Sequence, residues 1–129
     1  MQINPALPED IPALCGLLAH LFQQEAEFTP DDAAQRRALA MIIDHPEVGQ
    51  ILVARRGDDV VGMVNLLYTV STALGGRVAL LEDMIVAPHA RGAGVGSQLL
   101  GHAIALIDSP VRRAVAAVHG FMCCMAHSA

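Results

Sequence analysis

A chain of 129 residues has the length of one domain built on one modest core. Hydrophobic residues make up 53% of it and charged residues 16%, with a mean hydropathy of +0.45, which excludes a disordered polar chain. The formal charge of −5 supplies no basic footprint for nucleic acid and tilts weakly toward a cationic partner.

In chain order, Ile3 to Leu7 reads as a short first strand. Pro8-Glu9-Asp10 then opens an amphipathic helix whose apolar residues Ile11, Leu14, Leu17, Leu18, Leu21 and Phe22 recur at helical spacing. Thr29 as N-cap, Pro30 at the first helical position and Asp31-Asp32 in the first turn predict a second helix to about Ile43, ended by His45-Pro46. Ile51 to Arg55, the turn Gly57-Asp58-Asp59 and Val60 to Val70 read as a hairpin, and a second turn at Leu74-Gly75-Gly76 leads into Arg77 to Val86. Successive strands with tight connections predict a mostly antiparallel sheet. After a loop from Pro88 to Val95, a third helix is expected over Ser97 to Ile107, with Leu99, Leu100, Ala103, Ile104 and Ile107 on its buried stripe and Asp108-Ser109-Pro110 as its stop. Val111 to Val118 is read as one more strand, and Phe121 to Ala129 shows no clear period.

Charged residues such as Glu82, Asp83 and Arg91 interrupt every apolar stretch, so no membrane-spanning helix is expected. Pro5, Pro8, Glu9 and Asp10 do not fit a signal peptide, and a cytoplasmic location is the expectation. Cys15, Cys123 and Cys124 are read as reduced thiols, since adjacent cysteines make neither a disulfide framework nor spaced ligands. His20, His45, His89, His102, His119 and His127 are not at metal-ligand spacing and are read as solvated or packing residues, so no metal is expected.

Arg91-Gly92-Ala93-Gly94-Val95-Gly96 lies between an apolar strand and an apolar helix. Free backbone N–H groups and the positive end of a helix dipole converge there, and glycines let backbone approach an anion such as a diphosphate. Three loops of this kind are separable by spacing. Gly96 is followed by Ser97-Gln98 and not by Lys-Ser/Thr, which excludes a Walker A loop. The third glycine of a dinucleotide fingerprint is replaced by Ser97, and too little chain follows for such a domain. A glycine-rich connection with no ligand is the plain alternative.

The remaining pattern, Arg-x-x-Gly-x-Gly after a strand and before a helix, resembles the coenzyme A pyrophosphate loop of the GNAT superfamily of N-acetyltransferases. Leu81-Glu82-Asp83-Met84-Ile85-Val86-Ala87-Pro88-His89-Ala90-Arg91 is similar to the family's fourth strand with its Pro-x-x-Arg entry. Pro8-Glu9-Asp10-Ile11-Pro12-Ala13-Leu14 is similar to its first-helix opening. The resemblance covers residues 1–118 of a single domain and leaves 119–129 unassigned. It implies an α+β fold of the acyl-CoA N-acyltransferase type, a mixed and mostly antiparallel sheet flanked by helices, with C-terminal elements incomplete. It also implies acetyl-CoA as cofactor, with the backbone of Met84, Ile85 and Val86 facing the pantetheine arm and Arg91, Gly92, Ala93, Gly94, Val95, Gly96 and Ser97 holding the pyrophosphate. Arg91 is expected to contribute mainly its backbone N–H.

Transfer of an acetyl group to an amine needs a base, because an alkylammonium has a pKa near 10. Glu82 and Asp83 are the candidates, and simple strand alternation puts them on opposite faces. The family resemblance favours Glu82 as base and a backbone N–H near Met84 or Ile85 as oxyanion donor. A structural role for both carboxylates, paired with an arginine or a helix terminus, is the alternative. The helix tyrosine that many family members use as acid is absent, and the sole tyrosine, Tyr68, is read as packing or acceptor-site lining. A second alignment makes residues 112–118 a fourth helix, with Ala116 where the tyrosine would stand. The expected acceptor is a small-molecule amine or peptide, with neither nucleic acid nor membrane as partner. A shortened C-terminus that leaves a sheet edge open implies a homodimer. The alternative function is an acyl-CoA-binding domain or interaction module that keeps the cofactor loop without turnover.

Overall fold

The computed structural model describes residues 1–22, 31–73, 75–107, 113–118 and 121–126, with only the backbone for 22, 113–118 and 121–126. Strand β1 (Gln2–Pro5) is followed by a single 3-10 turn (Pro8–Asp10) and helix α1 (Ile11–Phe22). Helix α2 spans Asp32–Asp44, and its N-cap is Asp31, whose side chain accepts from the Ala34 N–H at 3.1 Å. The cap expected at Thr29 lies outside the described residues. Strands β2 (Gly49–Arg56), β3 (Asp59–Ser71) and β4 (Gly76–Val86) follow. Gly57 (φ 64°) and Gly75 (φ 71°) stand in the two connections, where the positive φ suits glycine. A second 3-10 turn (Pro88–Ala90) leads through the glycine loop to helix α3 (Val95–Ile107), two residues earlier than Ser97.

Residues 113–118 form a strand, β5 (Arg113–Val118), and not the fourth helix of the second alignment. The unplaced tail supplies strand β6 (Phe121–Ala126), antiparallel to β5 and separated from it by two residues, too few for an intervening helix. The sheet runs β1-β2-β3-β4-β5-β6 in order, and among the described residues the β4–β5 pair alone is parallel. A parallel neighbour requires a crossover, and α3 provides it.

Two helical layers sandwich the sheet. Along β3, side chains alternate between faces. A Cβ at Gly62 would meet Leu99 and Val95 of α3, whereas Asn65 and Leu67 border a cavity with residues of α1 and α2. The α1 and α2 side buries Leu14, Leu17, Leu18, Leu39 and Ile42, and α3 buries Val95, Leu99, Ala103 and Ile107. Leu100 and Ile104, expected on the same stripe, are half-buried.

Gly62 sets how close α3 comes to the sheet. A Cβ there would lie 2.9 Å from Leu99 Cδ1, 3.0 Å from Val95 Cγ1 and 3.3 Å from the Ile85 carbonyl oxygen. Gly62→Ala is therefore expected to cost about 1–2 kcal/mol in urea unfolding, because Leu99 gives way only in part. A variant as stable as the parent would show that α3 tolerates a larger spacing.

Asp10 ties the entry of α1 to the sheet. The residue is 7% exposed, and its side chain accepts the Leu7 N–H at 2.8 Å and hydrogen bonds from both Arg55 Nη1, at 2.8 Å, and Nη2. The Arg55 hydrogen bonds hold the Asp10 carboxyl below the usual aspartate range, against a burial that pushes it up, and the Leu7 N–H lowers it further.

Candidate active site

The site begins with one surplus residue in β4. Asn65 pairs with Asp83 and Leu66 with Leu81, so Glu82 is left over as a β-bulge. Alternation is reset at that point. On the β3 side, odd residues from 63 to 67 share the α1 and α2 face, and their partners show that Leu80 before the bulge and Asp83 and Ile85 after it face the same way. Glu82 borders the same cavity as Asp83. The expectation that the two carboxylates take opposite faces is thus corrected: simple alternation assumes an uninterrupted pleat, and the bulge puts both on one side.

At the same level β4 parts from β5. Among the described residues the parallel ladder consists of Ala79, Leu80 and Leu81 paired with Ala114, Val115 and Ala116, and β4 beyond Leu81 has no partner in β5. The Ala87 N–H bonds the Val61 carbonyl at 2.8 Å, so in this register residues 83, 85 and 87 turn their backbone groups toward β3. Met84 and Val86 consequently aim N–H and C=O into the gap on the β5 side. Ile85 does not, and its N–H belongs to the β3 ladder. Ligands in open α/β sheets collect at the carboxyl ends of parallel strands where neighbours diverge, and this gap is such a place.

The gap leads to the glycine loop. Gly92 (φ 83°) and Gly94 (φ 79°) are left-handed, and a Cβ on either would meet nothing within 4 Å, so their outer faces are open. A Cβ on Gly96 would make an ordinary 3.7 Å contact with Val86 Cγ2, so crowding by the protein does not explain that glycine. In the first turn of α3, Gln98 N–H bonds the Gly94 carbonyl at 3.1 Å, which leaves the preceding amides of Val95, Gly96 and Ser97 without an intrahelical acceptor. Left-handed glycines and unpaired amides at a helix N-terminus form a cradle that fits a diphosphate. Arg91 departs from expectation: its backbone N–H is directed at the Pro88 carbonyl at 3.4 Å, and its side chain caps the Val86 carbonyl through Nε at 3.1 Å.

On the α1 and α2 face, the bulge opens into a cavity of about 240 Å³ lined by Leu18, Ala38, Leu39, Ile42 and Leu67, with Glu82 and Asp83 at its sheet wall. Glu82 is solvent-exposed and Asp83 half-buried, so a proton accepted at Glu82 has a path to water. Gln35 of α2 and Asn65 of β3 complete the lining. Neither was singled out from the sequence, although Asn65 is the one polar side chain in the apolar run from Val60 to Leu67, and that was a usable signal.

Tyr68 is half-buried on β3, with the Arg77 guanidinium 5.4 Å from its ring centre, and burial raises its pKa. It is not among the described residues of the cavity wall. His45 and His102 each place Nδ1 within hydrogen-bond distance of a carbonyl one turn back in the helix, at Met41 and Gln98. No group of three or more metal-ligating side chains occurs among the described residues, and no described helix is long and apolar enough to cross a membrane.

This arrangement has recognisable relatives. An uncharacterized N-acetyltransferase, YhfO of Bacillus subtilis (strain 168), is 33% identical over 107 residues, which is 80% of this chain and 68% of that protein. An integron cassette protein from the mobile metagenome of Cole Harbour Salt Marsh superposes with a TM-score of 0.80 at 30% identity, covering 92% of this chain and 76% of its own. The crystal structure of a predicted acetyltransferase with acetyl-CoA from Clostridium acetobutylicum shares the fold, with a TM-score of 0.74 at 15% identity over 91% of this chain and 79% of that one. The model of the acetyltransferase (GNAT) family matches residues 14–119. Because that match runs through both helices of one face, the bulged strand, the glycine loop and the crossover helix, the chain belongs to the acetyltransferase (GNAT) family.

Proposed function

We propose that this protein is an acetyl-CoA-dependent N-acetyltransferase that acetylates the primary amine of a small molecule or peptide by direct attack. The observation that carries the reading is the place where β4 leaves β5: Met84 and Val86 aim their backbone into the gap, the glycine cradle lies at one end of it, and the Glu82–Asp83 cavity opens beside it. The acetyl-CoA reported with the Clostridium acetobutylicum structure supports the same reading by analogy of fold. Bound acetyl-CoA supplies a thioester as acyl donor. The chain's own part is to hold it and to prepare the amine.

In this reading Met84 and Val86 pair with an extended pantetheine arm as an added strand would, and the amides of Val95, Gly96 and Ser97, with Gly92 and Gly94, hold the diphosphate. For Val86 this requires Arg91 Nε to release or share the carbonyl it caps. Of the two candidate oxyanion donors, the Met84 N–H is the one aimed into the gap, fixed by the strand so that little reorganisation is needed. Glu82, at the cavity wall and open to solvent, takes the ammonium proton, directly or through water, and leaves the amine neutral for attack on the thioester carbonyl. There the C–N bond forms as the C–S bond breaks, and the proton shed by the nitrogen passes through water to the departing thiolate.

The test is thiol release from acetyl-CoA across a panel of amines, with coenzyme A binding followed by calorimetry. Amine-dependent release is the expected result, and binding without release across the panel would replace this reading with a binding domain. Glu82→Gln is expected to lower kcat about a hundredfold at pH 7 with coenzyme A affinity unchanged. Full activity in that variant would move the base elsewhere.

A further inference from the structure

Among the described residues, two polar atoms at the cavity have no hydrogen-bond partner: Gln35 Nε2 and Asn65 Oδ1 are both buried, and Asn65 as a whole is 6% exposed. Both residues line the cavity that Glu82 and Asp83 border. One orphan is a donor and the other an acceptor, and leaving such groups unpaired in an apolar setting is costly. The rest of the described lining is aliphatic: Leu18, Ala38, Leu39, Ile42 and Leu67.

We propose that the acceptor is a small aliphatic primary amine carrying one neutral carboxamide, whose carbonyl accepts from Gln35 Nε2 and whose N–H donates to Asn65 Oδ1. The inference rests on the acetyltransferase reading for which end of the molecule reacts. The ammonium end meets Glu82 and Asp83, and the aliphatic body lies against the leucines and Ile42. A cavity of about 240 Å³ has room for several water-sized groups, which suits a short amine better than a bulky one.

The same walls reject other amines. No described lining residue is cationic, so a free carboxylate would be desolvated without a counter-charge and beside two acids. A second ammonium pushed among the leucines would find only neutral amides. The tilt toward cationic acceptors that net charge suggests is thereby narrowed to one ammonium. The required chemistry, an amine next to an amide, occurs both in amino-acid amides and at the N-terminal residue of a peptide.

The experiment titrates the full chain, saturated with coenzyme A, with leucinamide, 3-methylbutylamine, leucine and putrescine in a calorimeter. Leucinamide is expected to bind at least about tenfold more tightly than each of the others. In Asn65→Leu the advantage over 3-methylbutylamine should disappear, while the melting temperature does not fall, because the substitution removes an unsatisfied buried group. Absent leucinamide binding, equal binding of 3-methylbutylamine or putrescine, or an unchanged advantage in Asn65→Leu overturns the proposal. Leucyl-glycyl-glycinamide separates the sources: binding as tight as leucinamide assigns a peptide N-terminus, and loss of binding assigns a free amide. Thiol release from acetyl-CoA is read in parallel samples. Selective leucinamide binding without release would sink the acetyltransferase reading and leave the assignment of the cavity standing.

Discussion

Gly94→Glu is expected to lower coenzyme A affinity by a thousandfold or more, on the order of 4 kcal/mol, while the sheet stays folded. Two effects combine. Gly94 has φ of 79°, where a side chain costs about 1–2 kcal/mol in backbone strain. The added carboxylate then stands at the mouth of α3, where it competes for the Val95, Gly96 and Ser97 amides and repels the diphosphate. Gly94→Ala shares the strain and lacks the charge, so its smaller loss measures the first effect alone. Because a Cβ at this position meets nothing within 4 Å, neither variant disturbs packing. Calorimetry with coenzyme A decides the matter, and a Gly94→Glu protein that binds like the parent would remove the loop from the cofactor site.

Asp10→Ala is expected to destabilise the fold by about 3 kcal/mol, a large share of the 5–15 kcal/mol that typically holds a domain. The substitution removes the carboxylate to which both Nη atoms of Arg55 donate, leaving a guanidinium whose side chain is only 22% exposed without that counter-ion, and removes the acceptor for the Leu7 N–H. Since the Asp10 carboxyl is held below its ordinary range, the folded protein resists a proton that the unfolded chain accepts near pH 3.9. The contribution is therefore complete at neutral pH and is lost as the pH falls below about 4 through the folded value. Urea unfolding should show parent and variant far apart at pH 7 and converging in acid. A constant gap down to the lowest pH would mean that Asp10 acts through packing and not through its charge.

Local signals in the sequence located the helices, the hairpins and the glycine loop, because each depends on residues close in the chain. Pro8 to Leu18 shows the start and stripe of α1, and the glycines from 92 to 96 mark a backbone that side chains could not follow. What escaped depends on partners distant in sequence. The surplus of Glu82 is defined only against Asn65 and Leu66 on β3, and Leu81-Glu82-Asp83 read alone looks like regular alternation. Asp10 and Arg55 are 45 residues apart, so their pairing carries no local signature. The tail failed for another reason: a second strand in the β5–β6 hairpin is specified by its partner's edge more than by its own pattern. Gln35 and Asn65 escaped because an unsatisfied group is defined by what surrounds it in space.

The bulge in β4 is a dislocation in a two-dimensional lattice, and such defects have a property that side-chain arrangements lack. One extra residue is either present or absent in the register, which is pinned by the pairs on both sides of it, from Gly62 to Asn65 and from Leu66 to Ser71. A substitution within those ladders changes a side chain and not the number of residues between the pinned pairs. The identities of the residues at the defect and across the cavity are free to change while the split in the sheet persists. The gap beside Met84 and Val86 is in this sense topological, whereas the cavity next to it is bounded by a handful of exchangeable side chains.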